Sequence, residues 1–178
     1  MITLVILSIL VAAIGIAAAI NKEKELPVSI SAIVYDLPLI GKYLWSVWVW
    51  LIVGLLAIPL LDVMGNIWWQ GMIAYVTIAS IGVVGALPLI PGDEDVRWCW
   101  HYNLGIFGGV MSQICVALIS PWWLMLWGLW AVLAVLSTFE QEVKWIAKVN
   151  DATAGKGVFL LEVTAMLPVY MALLGALI

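Results

Sequence analysis

The sequence predicts an all-α integral membrane protein, a bundle of six transmembrane helices with an interfacial segment between the first two. Three observations carry that prediction. Of the 178 residues 66% are hydrophobic and 10% charged, with a mean hydropathy of +1.17, whereas soluble domains carry about 25% charge. Six apolar runs can be read, each close to the roughly 20 residues a helix needs to cross a hydrocarbon core of about 30 Å. Every basic residue falls in alternate connections between those runs. A soluble globular fold is excluded.

In chain order the spans are Ile2–Ile20, Tyr43–Leu61, Ile67–Ile90, His101–Ser120, Trp122–Thr138 and Val158–Ile178. Lipid cannot satisfy open backbone groups, and these runs lack the polar/apolar alternation of barrel strands, so each is a helix. Together they make one domain over residues 1–178. No basic residue precedes the first run, which is therefore expected to stay in the chain rather than be cleaved as a signal peptide. Between the first and second spans, Val28–Leu37 is too apolar for a solvated loop and too short to cross; bounded by Pro27 and Pro38, it is expected to be interfacial or re-entrant. The minimal turns Asp62–Asn66 and Ser120–Pro121 make hairpins of the second and third spans and of the fourth and fifth. Phe139–Gly157 mixes Val143, Ile146, Ala147 and Val149 with charges and reads as a short surface helix before the sixth span. Pro59, Pro88 and Pro168 free the carbonyls of Leu55, Val84 and Thr164.

Lys22, Lys24, Lys42, Arg97, Lys144, Lys148 and Lys156 all lie in the first, third or fifth connection. By the positive-inside rule residues 21–42, 91–100 and 139–157 are cytoplasmic and both termini lie outside. Nine of the eleven acids share those connections, so the net charge of −4 gives no sign of a nucleic-acid partner. Compactness and short outer turns fit a bacterial inner membrane. Trp45, Trp48, Trp98, Trp100 and Trp145 mark the cytoplasmic interface, and Trp68, Trp69, Trp122 and Trp123 the outer one. Trp127 and Trp130, about 7 and 12 Å into the fifth span, read as packing residues.

Glu162 is the most informative residue, an acid about 7 Å inside an apolar span, where it is expected to face the bundle interior with a partner. His101, the only histidine, opens the fourth span from the same side and is its natural partner. Ser29, Ser31, Tyr35 and Asp36, with Asp93, Glu94 and Asp95, are placed to complete one polar cluster. Imidazole serves as base or metal ligand, carboxylate orients it or binds a cation, and serine donates or attacks. One histidine beside one cysteine falls short of the three or four ligands zinc takes. No metal or cofactor is therefore expected, and His101, Glu162 and Cys99 are the residues that would hold one. No nucleophile elbow, phosphate loop or haem-attachment motif occurs. Cys99 and Cys115 lie about 24 Å apart along one helix and cannot form a disulfide, leaving Cys115 as a small buried residue. Gly105 and Gly109 let another helix approach closely, either within the bundle or as a seam for a second copy or membrane partner. Ser112, Gln113, Thr77 and Ser80 are placed to hydrogen-bond between helices or to line a path.

A Ser-x-Ser segment after the first span, Ser29-Ile30-Ser31, and a histidine opening the fourth, His101-Tyr102-Asn103, recur in a family layout. On these residues the chain resembles the six-helix membrane superfamily that contains the DRAM- and Sfk-type proteins and small bacterial members, and more remotely the ceramidase-like CREST hydrolases. The resemblance implies a bundle with a polar cluster of Ser29, Ser31 and His101, and no established activity for the bacterial members. The hydrolases surround a metal with several histidines, and this chain has one.

The expected function is a lipid- or partner-binding membrane protein with a cytoplasmic-side polar cavity, membrane lipids being its first partners. The alternative is a membrane-embedded lipid-modifying hydrolase, with His101 as base or metal ligand, Glu162 and Asp36 as acids, and Ser29 or Ser31 touching substrate. A channel in which Glu162 governs flux is the third reading.

Overall fold

The computed structural model describes residues 1–23, 29, 30, 32–128 and 157–178. Ser31, Pro27, residues 129–138 of the fifth apolar run and residues 139–156 of the fifth connection lie outside them. Among the described residues every regular element is helical. They are α1 (Ile2–Glu23), α2 (Leu39–Met64), α3 (Trp68–Ala86), α4 (Glu94–Ile119) and α5 (Gly157–Leu177), with short 3₁₀ helices at Ala32–Asp36, Leu87–Leu89 and Pro121–Trp127. All five α-helices are long and apolar enough to cross a membrane.

Two helices start earlier than the apolar runs suggested. α2 begins at Leu39, directly after Pro38, whose extended backbone cannot continue a helix backwards. α4 begins at Glu94 rather than His101, because Asp93 caps it by accepting from the backbone N–H groups of Asp95 and Val96 at 2.9 and 3.3 Å. Glu94 and Asp95 then sit in the first turn, where the helix dipole favours them. Residues 94–100, read above as loop, are therefore helical, and His101 lies about 10 Å inside α4. The fifth run opens as a 3₁₀ helix, with Pro121 in its first turn. The segment after Pro27 is held by protein: Ser29, Ile30 and Val34 are buried.

The helices pack in chain order, α1 on α2, α2 on α3, α3 on α4 and α4 on α5, and α5 returns to touch α1 and α2. No more than a third of any span is buried in the bundle. The outward faces carry Ile14, Ile40, Leu44, Met72 and Val110, an apolar surface suited to lipid. Val5, Leu60, Met64, Ala74, Cys115, Tyr170 and Leu173 form the core. It sits toward the end opposite Lys42, Glu94 and Arg97, here termed the charged end.

Tryptophans of α2 tie three helices together. The Trp48 indole N–H donates to the Val11 carbonyl of α1 at 2.7 Å, and it reaches that carbonyl over Gly15, where a Cβ would run into the indole. The Trp50 N–H donates to the Gly82 carbonyl of α3 at 3.0 Å. Trp48 is therefore also an internal fastener between α1 and α2. Deeper in, the hydroxyls of Ser8 and Tyr170 lie 3.1 Å apart and join α1 to α5.

Candidate functional site

Five residues into α5, about 8 Å along its axis, Glu162 faces the connection that precedes α2. Its Oε1 accepts from the Ser29 hydroxyl at 2.8 Å and its Oε2 from the Ile30 backbone N–H at 2.5 Å. Such charge-assisted bonds are the strong kind. Glu162 is thus met by Ser29 and the neighbouring Ile30 amide, and no hydrogen bond joins it to His101.

His101 sits in an aromatic box. Its ring stacks on Trp98 (centroids 5.9 Å apart, planes within 7°), meets Tyr35 edge-on at 5.3 Å and lies 5.7 Å from Trp45. The residue is 2% exposed, and neither ring nitrogen has a hydrogen-bond partner among the described residues. Tyr35 donates to the Arg97 carbonyl at 3.4 Å and lies under the Lys42 ammonium, which also pairs with Glu94 at 3.9 Å. Burial pushes the Tyr35 phenol up to about 12, with Glu94 adding to the shift and Arg97 opposing it. Ser29 and Ile30 are thus fastened to α5 through Glu162, and Tyr35 is fastened to α4.

The single polar cluster expected from the sequence is accordingly two clusters. Ser29 donates to Glu162, so no serine–histidine pair of the kind that activates a nucleophile forms with it. Asp36 is exposed, and no hydrogen bond joins it to His101. Cys99 is exposed and lies against Asn103, whose side-chain amide donates to the Cys99 carbonyl at 2.8 Å. Among the described residues no three His, Cys, Asp or Glu side chains gather where one metal ion could be held, so His101, Glu162 and Cys99 are not brought together. Ser31 lies outside the described residues.

Between the core and the charged end is a cavity of about 270 Å³ walled by α2, α3, α4, α5 and Ile30. It runs along α2 from Trp45 to Leu60, about 22 Å at the helical rise. Ile52, Leu56, Ile78 and Ile81 line it, and Glu162 stands at its charged end. The hydroxyls in its wall are occupied: Thr77 donates to the Ile73 carbonyl at 2.9 Å, Ser112 to the Gly109 carbonyl at 2.6 Å, and Tyr170 pairs with Ser8. Among the described lining residues Glu162 is the one charged side chain.

Gly105 and Gly109 border this cavity, and a Cβ at either meets nothing within 4 Å among the described residues. Among the described residues a close helix contact is made by Gly108, where a Cβ would stand 2.9 Å from Ser80 and Ile81 of α3. Gln113 does bond across helices, donating to the Ala165 carbonyl at 2.9 Å and accepting from the Trp127 indole at 2.9 Å. Thr77 and Ser80 mainly bond back to their own helix. The sequence led to the expectation of a polar cavity at the charged side; that this one is walled mainly by apolar span residues was not visible, because no linear pattern gives their azimuth. No protein-family model matches this chain, and neither a curated protein nor a solved structure is detectably similar to it.

Proposed function

We propose that this chain is a six-span protein of a bacterial inner membrane that binds the apolar chain of a lipid-like molecule in the cavity beside Glu162. In this reading the fifth span completes the bundle over residues 122–138, the connections holding all seven basic residues face the cytoplasm, and residues 29–37 lie at that interface over the charged end. The observation that carries the proposal is the cavity: about 270 Å³ of space, apolar along its length and polar at one end. A water molecule takes about 30 Å³ and needs two to four polar partners, which this lining does not offer. The occupant that suits it is a hydrocarbon chain. A lipid-modifying reaction draws no comparable support, since Ser29 is bonded to Glu162 and His101 is sealed among rings.

The test is organic extraction and mass spectrometry of protein purified in mild detergent, wild type against Gly109→Leu, whose side chain would project into the cavity. A chain-bearing species recovered near one per protein from wild type and lost from the variant supports binding. Equal recovery from both, with the variant folded by circular dichroism, overturns it.

A further inference from the structure

We propose that the charged end carries a site for the phosphate of an anionic phospholipid, held by Arg97 with Lys42 beside it. Arg97 is not among the described residues that line the cavity, so the site stands apart from it whatever the cavity holds. The Arg97 guanidinium donates through Nη1 to the Ile90 carbonyl at 2.8 Å, while its buried Nε has no hydrogen-bond partner among the described residues. Nor does any described carboxylate come within salt-bridge distance of it. The edge left over, Nε with Nη2, is one that takes two oxygens of a phosphate in parallel. Arg97 is only partly buried, and a turn of its flexible side chain carries that edge to the surface.

Tyr35 brings the two cations to one place: the Lys42 ammonium lies 5.9 Å from its ring centroid, and its hydroxyl donates to the Arg97 carbonyl. Against them stands Glu94, 3.9 Å from Lys42. Asp93 is taken up in capping α4, and Asp36 and Asp95 are exposed to water and salt, which screen them. Among the described residues Arg97 is thus a cation without an ion-pair partner, and the chemistry that matches it is an anion. The surroundings point to the source of that anion. Val96 and Ile40, beside these cations in sequence, are 54% and 74% exposed, and Trp98 and Trp100 are exposed as well. Exposed aliphatic side chains and indoles at the level of a basic residue mark the headgroup layer. A lipid phosphate arrives there with acyl chains that lie along these apolar faces, which a free phosphate leaves uncovered.

The experiment is native mass spectrometry of the full chain in mild detergent with equimolar dioleoyl phosphatidylglycerol and dioleoyl phosphatidylcholine, which share chains and phosphate and differ in net charge. Wild type should retain the anionic lipid about fivefold over the zwitterionic one, the scale expected of one basic residue at an anionic surface. Arg97→Gln should bring the two within about twofold. Lys22→Gln removes the same charge from the exposed end of α1 and should leave the preference in place. Arg97→Lys keeps the charge but loses the paired edge; it should fall between wild type and Arg97→Gln, and it serves where Arg97→Gln does not fold. Equal retention of both lipids by wild type, a preference unchanged in the Arg97 variant that folds, or an equal loss in Lys22→Gln overturns the site. Inorganic phosphate and glycerol phosphate, each at the concentration of the lipid, should not displace it. Displacement by either would mean a site for a free anion and overturn the lipid assignment.

Discussion

The Ser29 hydroxyl donates to Glu162 Oε1 at 2.8 Å across 133 positions of sequence, and the next amide, that of Ile30, donates to the other carboxylate oxygen at 2.5 Å. One side chain near the start of the last helix thereby holds the backbone that leads into the second, at the mouth of the cavity.

Removing that charge should release the segment. Glu162→Gln turns an acceptor facing the Ile30 N–H into an amide that can present a donor there, and a hydrogen bond to a charged group contributes about 2 kcal/mol. The expected result is a lower Tm in detergent with faster hydrogen exchange at Ile30 than in wild type. Unchanged exchange at Ile30 would remove Glu162 from this role.

At His101 two substitutions should move in opposite directions. Phenylalanine keeps a ring against Trp98, Tyr35 and Trp45 and eliminates two buried nitrogens without hydrogen bonds, a change of about 1 kcal/mol in favour of folding. Alanine opens a hole among those rings and should cost about 3 kcal/mol. Chemical denaturation of both variants in mixed micelles checks the order, and a His101→Phe variant no more stable than His101→Ala would mean that the imidazole nitrogens matter to the fold.

Adjacent glycines of α4 should also differ in sign. Alanine at Gly109 meets no described atom within 4 Å, and replacing a mid-helix glycine stabilises by about 0.5–1 kcal/mol. Alanine at Gly108 pushes on Ser80 and Ile81 and should cost about 1–3 kcal/mol. Thermal unfolding of the pair, side by side, reads the difference directly.

Alkaline pH should loosen the segment through Tyr35. Its phenol is raised from 10.0 to about 12, so the unfolded chain loses this proton first. The stability it contributes is complete below pH 10 and falls away as pH rises toward 12. Wild type should therefore lose Tm more steeply than Tyr35→Phe over that window, and parallel curves would refute the assignment.

How much of this was legible in the sequence depends on the kind of information each residue carries. Composition and run length gave spans because lipid imposes one requirement on every backbone group. Glu162 was legible as a residue needing a partner, for the cost of an acid in hydrocarbon is independent of neighbours. Which partner it takes was not, since position along a helix fixes depth and leaves azimuth open: His101 and Glu162 lie in the first turns of their helices at the same end yet engage different parts of the connection before α2. The start of α4 was hidden because Asp93, Glu94 and Asp95 read as loop by polarity although they are good helix openers. Trp48 belongs to the same class, its role fixed by Gly15 thirty-odd residues away in another helix.

The two indole fasteners on α2 and the carboxylate on α5 differ in when they can form. Trp48 and Trp50 reach carbonyls of the helices just before and just after their own, so these bonds become available as soon as the third helix has left the insertion machinery. The Glu162 contacts must wait for α5 to enter the bilayer. During synthesis the α1–α3 unit is therefore the earlier scaffold, and the cavity acquires its polar end only when α5 joins it, which makes closure of residues 29–30 onto α5 a marker of α5 docking.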